Sequence, residues 1–363
     1  MEDFEVQNFV QTEASTDKKC PGCGATISFD PAEGKLHCKY CGFKCELPKP
    51  EEEREVCEMD FYAAKNSGSY EWGVKKKSVQ CNSCGAVSIY DALETASVCP
   101  FCGSNQVMPA AEEDSIAPGG VCPFSVTKEN ASAAFKKWIS KKFFAPNKAK
   151  ESTRPEAFQG LYLPYWTYDV KTLSRFTARA GYDHKVKKDG QTKIETEWHS
   201  VSGFYEEAFD DETVVASKRM GNTSVKGCQP FDLSKVTPYN PQLLAGFAAE
   251  RYSVGLQEGW EVARKSIQTK LRGHISDYVR KTWKANRADS VKMSTNYANL
   301  TYKYLLVPIW VSSYKYKDKV YQFVVNGQTG KVGGDSPVST WKVLLTILGV
   351  AAAIALLCLL LGH

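Results

Sequence analysis

The sequence predicts a multi-domain protein: two small four-cysteine modules, an α+β domain with an antiparallel sheet and a long helical region, and a C-terminal transmembrane helix. Three observations predict this arrangement. A four-cysteine pattern occurs twice in the first third of the chain. Strand-like alternation and helical periodicity fill the middle. A long uncharged apolar segment lies near the end.

The cysteine pattern is an internal duplication. Each module contains two Cys-x-x-Cys-Gly turns separated by fourteen residues, and every cysteine of the second module lies 61 positions after its counterpart. Between the two turns of the first module, residues 25–37 read strand, turn and strand, so a hairpin brings the cysteine pairs together. The predicted metal ligands are Cys20, Cys23, Cys38 and Cys41 in the first module and Cys81, Cys84, Cys99 and Cys102 in the second.

Four thiolates in this pattern favour zinc. Zn²⁺ prefers a tetrahedron of four ligands, with sulfur at ~2.3 Å. The glycine after each Cys-x-x-Cys pair suits a tight turn that needs a positive φ. Metal binding of this kind contributes ~10–16 kcal/mol, which compensates for the small core of a module of about thirty residues. The sequence therefore predicts two structural Zn²⁺ ions in closed sites without an open catalytic position.

Other uses of these cysteines remain open at this stage. Iron also accepts four thiolates, and Cys99-Pro-Phe-Cys102 resembles an iron-binding loop. A redox Cys-x-x-Cys pair would need a βαβ context, which is absent. A secreted disulfide framework is disfavoured because the acidic N-terminus has no apolar signal core. His37 is a weaker ligand than Cys38, which has the regular spacing. The cysteines predicted to be packing residues are Cys45, Cys57, Cys122, Cys228 and Cys358.

Composition shifts set the predicted domain boundaries. The chain divides into a disordered tail at 1–18, zinc ribbon 1 at 19–46, an acidic linker at 47–78, zinc ribbon 2 at 79–106, a linker at 107–126, the α+β domain at 127–335 and the transmembrane helix at 342–361.

The α+β domain should begin with a helix that ends before Pro146, followed by an aromatic strand at 160–169. Strand-like runs at 172–188, 192–208 and 213–217 predict an antiparallel meander. Asn240-Pro241 predicts the start of a helical region that extends to about residue 284. Strands return at 301–332, with Asn326-Gly327 as a hairpin turn.

A second, weaker repeat lies inside this domain. The segment Leu161 to Thr167 aligns with Leu305 to Val311, with Leu, Pro and Trp identical at an offset of 144. Two related strand-led halves joined by the helical region would explain this match. Coincidence over so short a segment is the alternative.

The apolar segment Val343 to Leu361 contains no charge, and Thr346 is its one polar side chain. Its length matches the ~20 residues needed to cross a bilayer as a helix. Lys331 and Lys342 precede it, which predicts that the bulk of the chain is cytoplasmic. The predicted location is therefore the cell membrane, single-pass, with the membrane itself as a partner.

Several motifs carry a family resemblance. The cysteine turns resemble those of rubredoxin-like and transcription-factor-IIB-like zinc ribbons. The helix around Lys136-Lys137-Trp138, the strand at 160–169 and the hairpin at 326–331 are similar to those of a bacterial family of membrane-anchored tandem zinc-ribbon proteins of unassigned function. Members are often labelled primosomal helicase-like. This chain lacks the phosphate-binding loop that a helicase motor needs, since Gly327 to Val332 is too short and has no suitable hydroxyl.

The sequence therefore favours a membrane-anchored zinc-ribbon adaptor or scaffold that binds an unidentified protein partner. Nucleic-acid binding is the alternative, because Lys128 to Arg154 contains eight Lys/Arg against two Glu; the net charge of +5 is small and gives this alternative little support. An enzyme is disfavoured. The candidates Asp210-Asp211, His184 and His199 show no nucleophile–base pattern, so no catalytic residue is predicted.

Overall fold

The computed structural model describes residues 19–47, 56–65, 76–83, 87–91, 99, 107–109, 116–146, 158–188, 191–218, 222–316, 319–334, 336 and 338–361. The helices are α1 (Lys128–Ser140), α2 (Asn222–Cys228), α3 (Leu256–Thr282) and α4 (Thr340–Leu361). The strands are β1 (Ser28–Asp30), β2 (Lys35–His37), β3 (Lys44–Cys45), β4 (Met59–Asp60), β5 (Lys76–Cys81), β6 (Val87–Asp91), β7 (Val107–Pro109), β8 (Gly120–Val121), β9 (Gln159–Lys188), β10 (Gln191–Val215), β11 (Thr237–Pro238), β12 (Ala248–Glu250), β13 (Arg287–Tyr316), β14 (Lys319–Asn326) and β15 (Val332–Gly334).

The long strands β9 and β13 form the centre of the main sheet. They pair antiparallel over most of their length, and Leu163 lies directly opposite Val307. These two residues are also counterparts in the 144-residue repeat. A local two-fold axis therefore passes between them, and the two copies of the repeated segment pair with each other.

The same hydrogen bonds occur on both sides of this axis. The ring N–H of Trp166 donates to the carbonyl of Val254, just before α3, at 2.8 Å. The ring N–H of Trp310 donates to the carbonyl of Val126, just before α1, also at 2.8 Å. Each Trp thus anchors the start of the helix of its own half. Matching positions with matching bonds support the internal duplication that the sequence suggested.

The backbone shows the same correspondence at the residue that follows β10 and at the residue that follows β14. The amide of Ala216 donates to the carbonyl of Pro164 at 2.9 Å, and the amide of Gly327 donates to that of Pro308 at 2.8 Å. The Ala216 carbonyl then accepts from residues 253 and 254, as the Gly327 carbonyl accepts from residues 125 and 126. The prolines have no N–H to donate, yet their carbonyls complete a structural contact in both halves.

The main sheet is mixed, which corrects the predicted antiparallel sheet. Its twelve strands include the parallel pairs β8–β13 and β9–β12. Strand β11 extends one half through an antiparallel pair with β8, and β6 extends the other through an antiparallel pair with β12. Because β5 contains Cys81 and β6 lies within the second cysteine module, that module shares a sheet with the central domain.

The long helix α3 covers one face of the sheet. Its buried stripe consists of Trp260, Ala263, Ile267, Leu271, Ile275 and Val279. Gly259 lets the helix approach β9 closely, because a Cβ there would lie 2.4 Å from the Tyr168 hydroxyl and 2.9 Å from the Trp166 ring. The helical region predicted from Asn240 is wrong in its first part. Asn240 caps a 3₁₀ turn at Pro241–Leu244, and β12 follows before α3 begins.

The prediction of a transmembrane helix at 342–361 is wrong, and the predicted single-pass cell-membrane location is wrong with it. A helix, α4, does form, but none among the described residues is long and apolar enough to span a bilayer. Its first turn contacts the loop after α1, where Lys342 Nζ donates to the Ala145 carbonyl at 2.7 Å.

The paired Trp anchors generate a prediction. Trp166→Phe or Trp310→Phe removes a ring donor and leaves a helix-start carbonyl without its partner. We expect each change to lower the free energy of unfolding by about 1–3 kcal/mol in urea titrations. Trp341→Phe is the matched control, because that ring is 66% exposed, and it should change stability by less than about 0.5 kcal/mol. Equal effects at all three positions would contradict the anchoring role.

Candidate metal centre

The first cysteine module is a small three-stranded sheet. The β1–β2 hairpin places Cys20 and Cys23 before its first strand and Cys38 and Cys41 after its second. The amides of Gly24 and Gly42 donate back to the carbonyls of Cys20 and Cys38, and both glycines have positive φ, 72° and 75°. The predicted role of these glycines in the turns is confirmed at both positions.

The four sulfurs of this module converge on one point. All four lie within 4.8 Å of one another. Cys20 Sγ is 3.3 Å from Cys41 Sγ, and Cys23 Sγ is 3.6 Å from Cys38 Sγ. A tetrahedron with ~2.3 Å bonds separates its sulfurs by roughly 3.8 Å. The cluster therefore fits a single metal ion, and its separations are far longer than a disulfide bond.

Backbone donors favour a thiolate in the second pair. The amide of Cys41 donates toward the sulfur of Cys38 and, together with that of Tyr40, lowers the pKa of Cys38 to about 6. The Phe43 amide acts to lower the pKa of Cys41 too, but the neighbouring thiols outweigh it and raise that pKa to about 12. Four thiols so close together cannot all lose their protons without a cation, because neighbouring thiolates repel one another. A cation bound among them would stabilise the four thiolates.

The module is attached to the central domain. The amide of Phe29 in β1 donates to the carbonyl of Ala245 at 3.0 Å. Phe29, Ile27 and Leu36 are buried and belong to the same core cluster as Leu244. The hairpin that positions the sulfurs is therefore held by the domain as well as by its own turns.

The second predicted site is described in part. Cys81 and Cys99 are buried, at 1% and 2% exposure, and lie in one apolar cluster with Leu161. Cys84 and Cys102 lie outside the described residues. A second metal site with these four ligands therefore stays a prediction.

The other cysteines divide by environment. Cys122 and Cys228 are fully buried, and desolvation raises the pKa of each to about 12, which fits their predicted packing role. Cys45 is half-buried and Cys57 is exposed. The side chain of Cys358 lies outside the described residues.

The candidate histidines lie on the paired strands β9 and β10. His184 Nε2 and His199 Nε2 are 3.5 Å and 3.1 Å from the two oxygens of Glu197. All three side chains are more than half exposed. His184 lies opposite Glu195 and His199 opposite Ala180, so the Glu197 carboxylate lies between the two rings.

A carboxylate cluster was missed by the sequence analysis. Oxygens of Glu58, Asp169 and Asp210 lie within 4.8 Å of one another, and Lys303 Nζ is 3.3 Å from Glu58 and 2.9 Å from Asp211. Asp169 and Asp210 face each other across a bulge between β9 and β10, and Glu58 comes from the segment before β4. No local spacing could reveal a cluster assembled from such distant positions.

One proton is shared inside this cluster. Desolvation, reinforced by the Glu58 carboxyl, raises the pKa of Asp169 to about 7. The hydrogen bond from the Asp169 carboxyl, with those from Thr301 and Lys303, lowers the pKa of Glu58 to about 2. Asp169 therefore keeps a proton at pH values where an ordinary aspartate has lost it.

This shared proton predicts a pH dependence. A raised carboxyl pKa stabilises the folded state at low pH, and that contribution is lost as the pH rises from about 4 to about 7. Asp169→Asn mimics the protonated form at every pH. The urea midpoint of this variant minus that of the natural protein should therefore increase between about pH 5 and about pH 7.

Asp277→Asn is the matched control. Arg280 lowers the pKa of Asp277, so this carboxyl is ionised throughout that range and the difference should stay constant. An Asp169→Asn difference that is flat with pH would contradict the shared proton.

The comparisons with known proteins add one relative. The chain is similar to a Bacillus subtilis (strain 168) protein, uncharacterized protein YdjG, with 29% identity over 363 residues, 95% of this chain and 98% of that protein. No protein-family model matches the chain, and no solved structure matches it significantly. The similarity extends along nearly the whole of both chains, and the name of the relative states no activity.

Proposed function

We propose that this chain is a zinc-ribbon adaptor that binds a protein partner. In this proposal Cys20, Cys23, Cys38 and Cys41 hold a structural zinc ion, and the second cysteine set holds another. The ion supplies no reaction. It fixes the two turns of the ribbon so that their outer side chains form a rigid surface.

The observation that carries the proposal is the position of Tyr40. This side chain lies between Cys38 and Cys41 in the metal-binding turn and is 82% exposed. A large aromatic ring that projects into solvent from a rigid turn contributes little to the stability of the fold. Tyr is among the residues that dominate binding energy at protein interfaces, because it contributes a large contact area at low entropic cost. Its placement favours a partner contact at this turn.

The donor set supports zinc over most metals. Four thiolates in a closed tetrahedral arrangement suit a structural Zn²⁺ site, and they leave no position open for water or substrate. Iron accepts the same ligands, so metal analysis must separate the two. The central domain then acts as the scaffold, since the first ribbon is bonded to it at Ala245 and the second continues its sheet through β6.

Zinc content tests the metal part of the proposal. We expect two equivalents of zinc per purified chain, and Cys38→Ser should remove one, because three thiolates bind the ion far more weakly. Cys45→Ser, in the same module but outside the cluster, is the matched control and should keep both. Iron in place of zinc, or an unchanged metal content in Cys38→Ser, would refute the assignment.

Partner capture tests the adaptor part. Tyr40→Ala should weaken binding of the captured partner about 30-fold or more, as expected when a buried interface anchor is truncated. Tyr62→Ala is the matched control, because that ring is also strongly exposed, at 69%, but lies outside the ribbon. Zinc content should be unchanged in both variants. Equal partner recovery with both variants would show that the metal-binding turn is not the contact.

A further inference from the structure

In the distal part of the main sheet, no described helix or strand covers one of the two faces. Here β9 is flanked by β10 and β13, and α3 covers one side. Even-numbered residues from Thr172 to Ala180 are buried toward α3, where Phe176 packs with Ile275 and Val279. Odd-numbered residues from 171 to 179 point to the opposite side and are exposed. We call these residues, with their register partners on β10 and β13, the open face.

The open face carries cations without counter-ions. Lys171 and Arg175 lie on β9, and Lys292 lies on β13 opposite Thr177, one rung from Arg175. None of the three forms an ion pair with a described residue. Arg179 is paired with Asp289 at 2.9 Å, which leaves Glu206 as the remaining carboxylate among the register partners of the odd-numbered residues 171 to 179. Between residues 171 and 179 the face therefore has an excess of positive charge, and the carboxylates of Asp169 and Asp210 border it beyond Lys171.

An exposed aromatic ring lies among these cations. Phe204 is directly opposite Arg175 on β10 and is 64% exposed, and it contacts no ring of another described residue. Leu173, on the next rung, is 38% exposed. Hydroxyl and amide side chains occupy neighbouring positions, including Thr177, Ser202 and Ser294. The open face thus presents an exposed aromatic ring beside cations and hydrogen-bonding groups.

We propose that the open face binds single-stranded nucleic acid, with Arg175, Lys292 and Lys171 contacting phosphates and Phe204 stacking on a base. Unpaired cations spread along a strand suit a polyanion, and an exposed ring accepts any base. A duplex would keep its bases stacked inside and leave Phe204 without a partner. This inference goes beyond the protein-binding role proposed above and does not depend on it.

Other occupants fit the face less well. A second copy would bring the same excess of cations against itself. A protein interface is depleted of charge at its centre and needs an apolar core, whereas this face offers Phe204 and a half-buried Leu173 between charged rungs. An acidic protein segment remains the competing polyanion, and the experiment includes it.

The test uses the zinc-loaded full chain and fluorescence anisotropy with labelled oligo-dT and oligo-rU of about 20 nucleotides. We expect binding that weakens from about 50 to about 200 mM KCl. Arg175→Glu with Lys292→Glu should weaken it at least tenfold and reduce the slope of log K against log[salt] by about 1.4, since each phosphate contact on a single strand contributes about 0.7. Phe204→Ala should weaken it about 5- to 100-fold with the slope unchanged.

Matched controls separate this face from other basic surfaces. Lys265→Glu with Arg272→Glu makes the same charge change at exposed positions of α3 and should leave binding within about twofold. Lys136→Glu with Lys137→Glu tests the basic segment around α1. Because Phe204 is exposed, its Ala variant keeps the test valid if the charge-reversed protein does not fold.

Four outcomes would overturn the proposal. They are no binding tighter than about 100 μM at low salt, loss of binding in the α3 control equal to that in the open-face variant, loss confined to the α1 variant, and competition by poly-glutamate as effective as that by unlabelled oligo-dT. The last result would identify the face as a site for acidic protein segments.

Discussion

The antiparallel pairing of β9 with β13 at Leu163 and Val307 is the constraint on which the structure depends. Several fully buried aromatic residues lie around this pair, and Trp166 packs against both Tyr302 and Tyr304. Their ring contacts join the two halves, while each Trp N–H anchors the helix of its own half. One contact zone thus fixes the strand register, the helix positions and the orientation of both hairpins.

The duplication leaves two equivalent edges, and the chain uses them differently. On one side β8 pairs with β11, a two-residue strand. On the other side β12 pairs with β6, which belongs to the second cysteine module. The hairpins differ as well, since β10 spans 25 residues and β14 spans 8. A symmetric scaffold has therefore become asymmetric at its periphery, where the candidate binding surfaces lie.

Local patterns in the sequence predicted local features correctly. The cysteine turns form because Cys-x-x-Cys-Gly needs only neighbouring residues, and α1 follows from its cap and apolar spacing. Strand β12 was missed because Ala248-Ala249-Glu250 is short, and its strand geometry comes from β6 and β9, which are distant in sequence. The cluster of Glu58, Asp169 and Asp210 was missed for the same reason, since Glu58 and Asp210 are distant from Asp169 in sequence. The Asn-Pro signal at 240 was interpreted as the start of a long helix. An asparagine cap followed by proline also starts a 3₁₀ turn, which is what forms here.

The first ribbon shows why a metal and a scaffold are needed together. Its described hairpin buries Ile27, Phe29 and Leu36, and all three belong to a core that it shares with the domain. Apolar burial on this scale is small against the entropy of ordering the two cysteine turns, which have no core of their own. A bound ion would fix the turns, and the Phe29–Ala245 hydrogen bond fixes the hairpin on the domain. The direction in which Tyr40 points is thus determined jointly by the cysteine cluster and by Ala245, at the end of a 3₁₀ turn more than two hundred residues away in sequence.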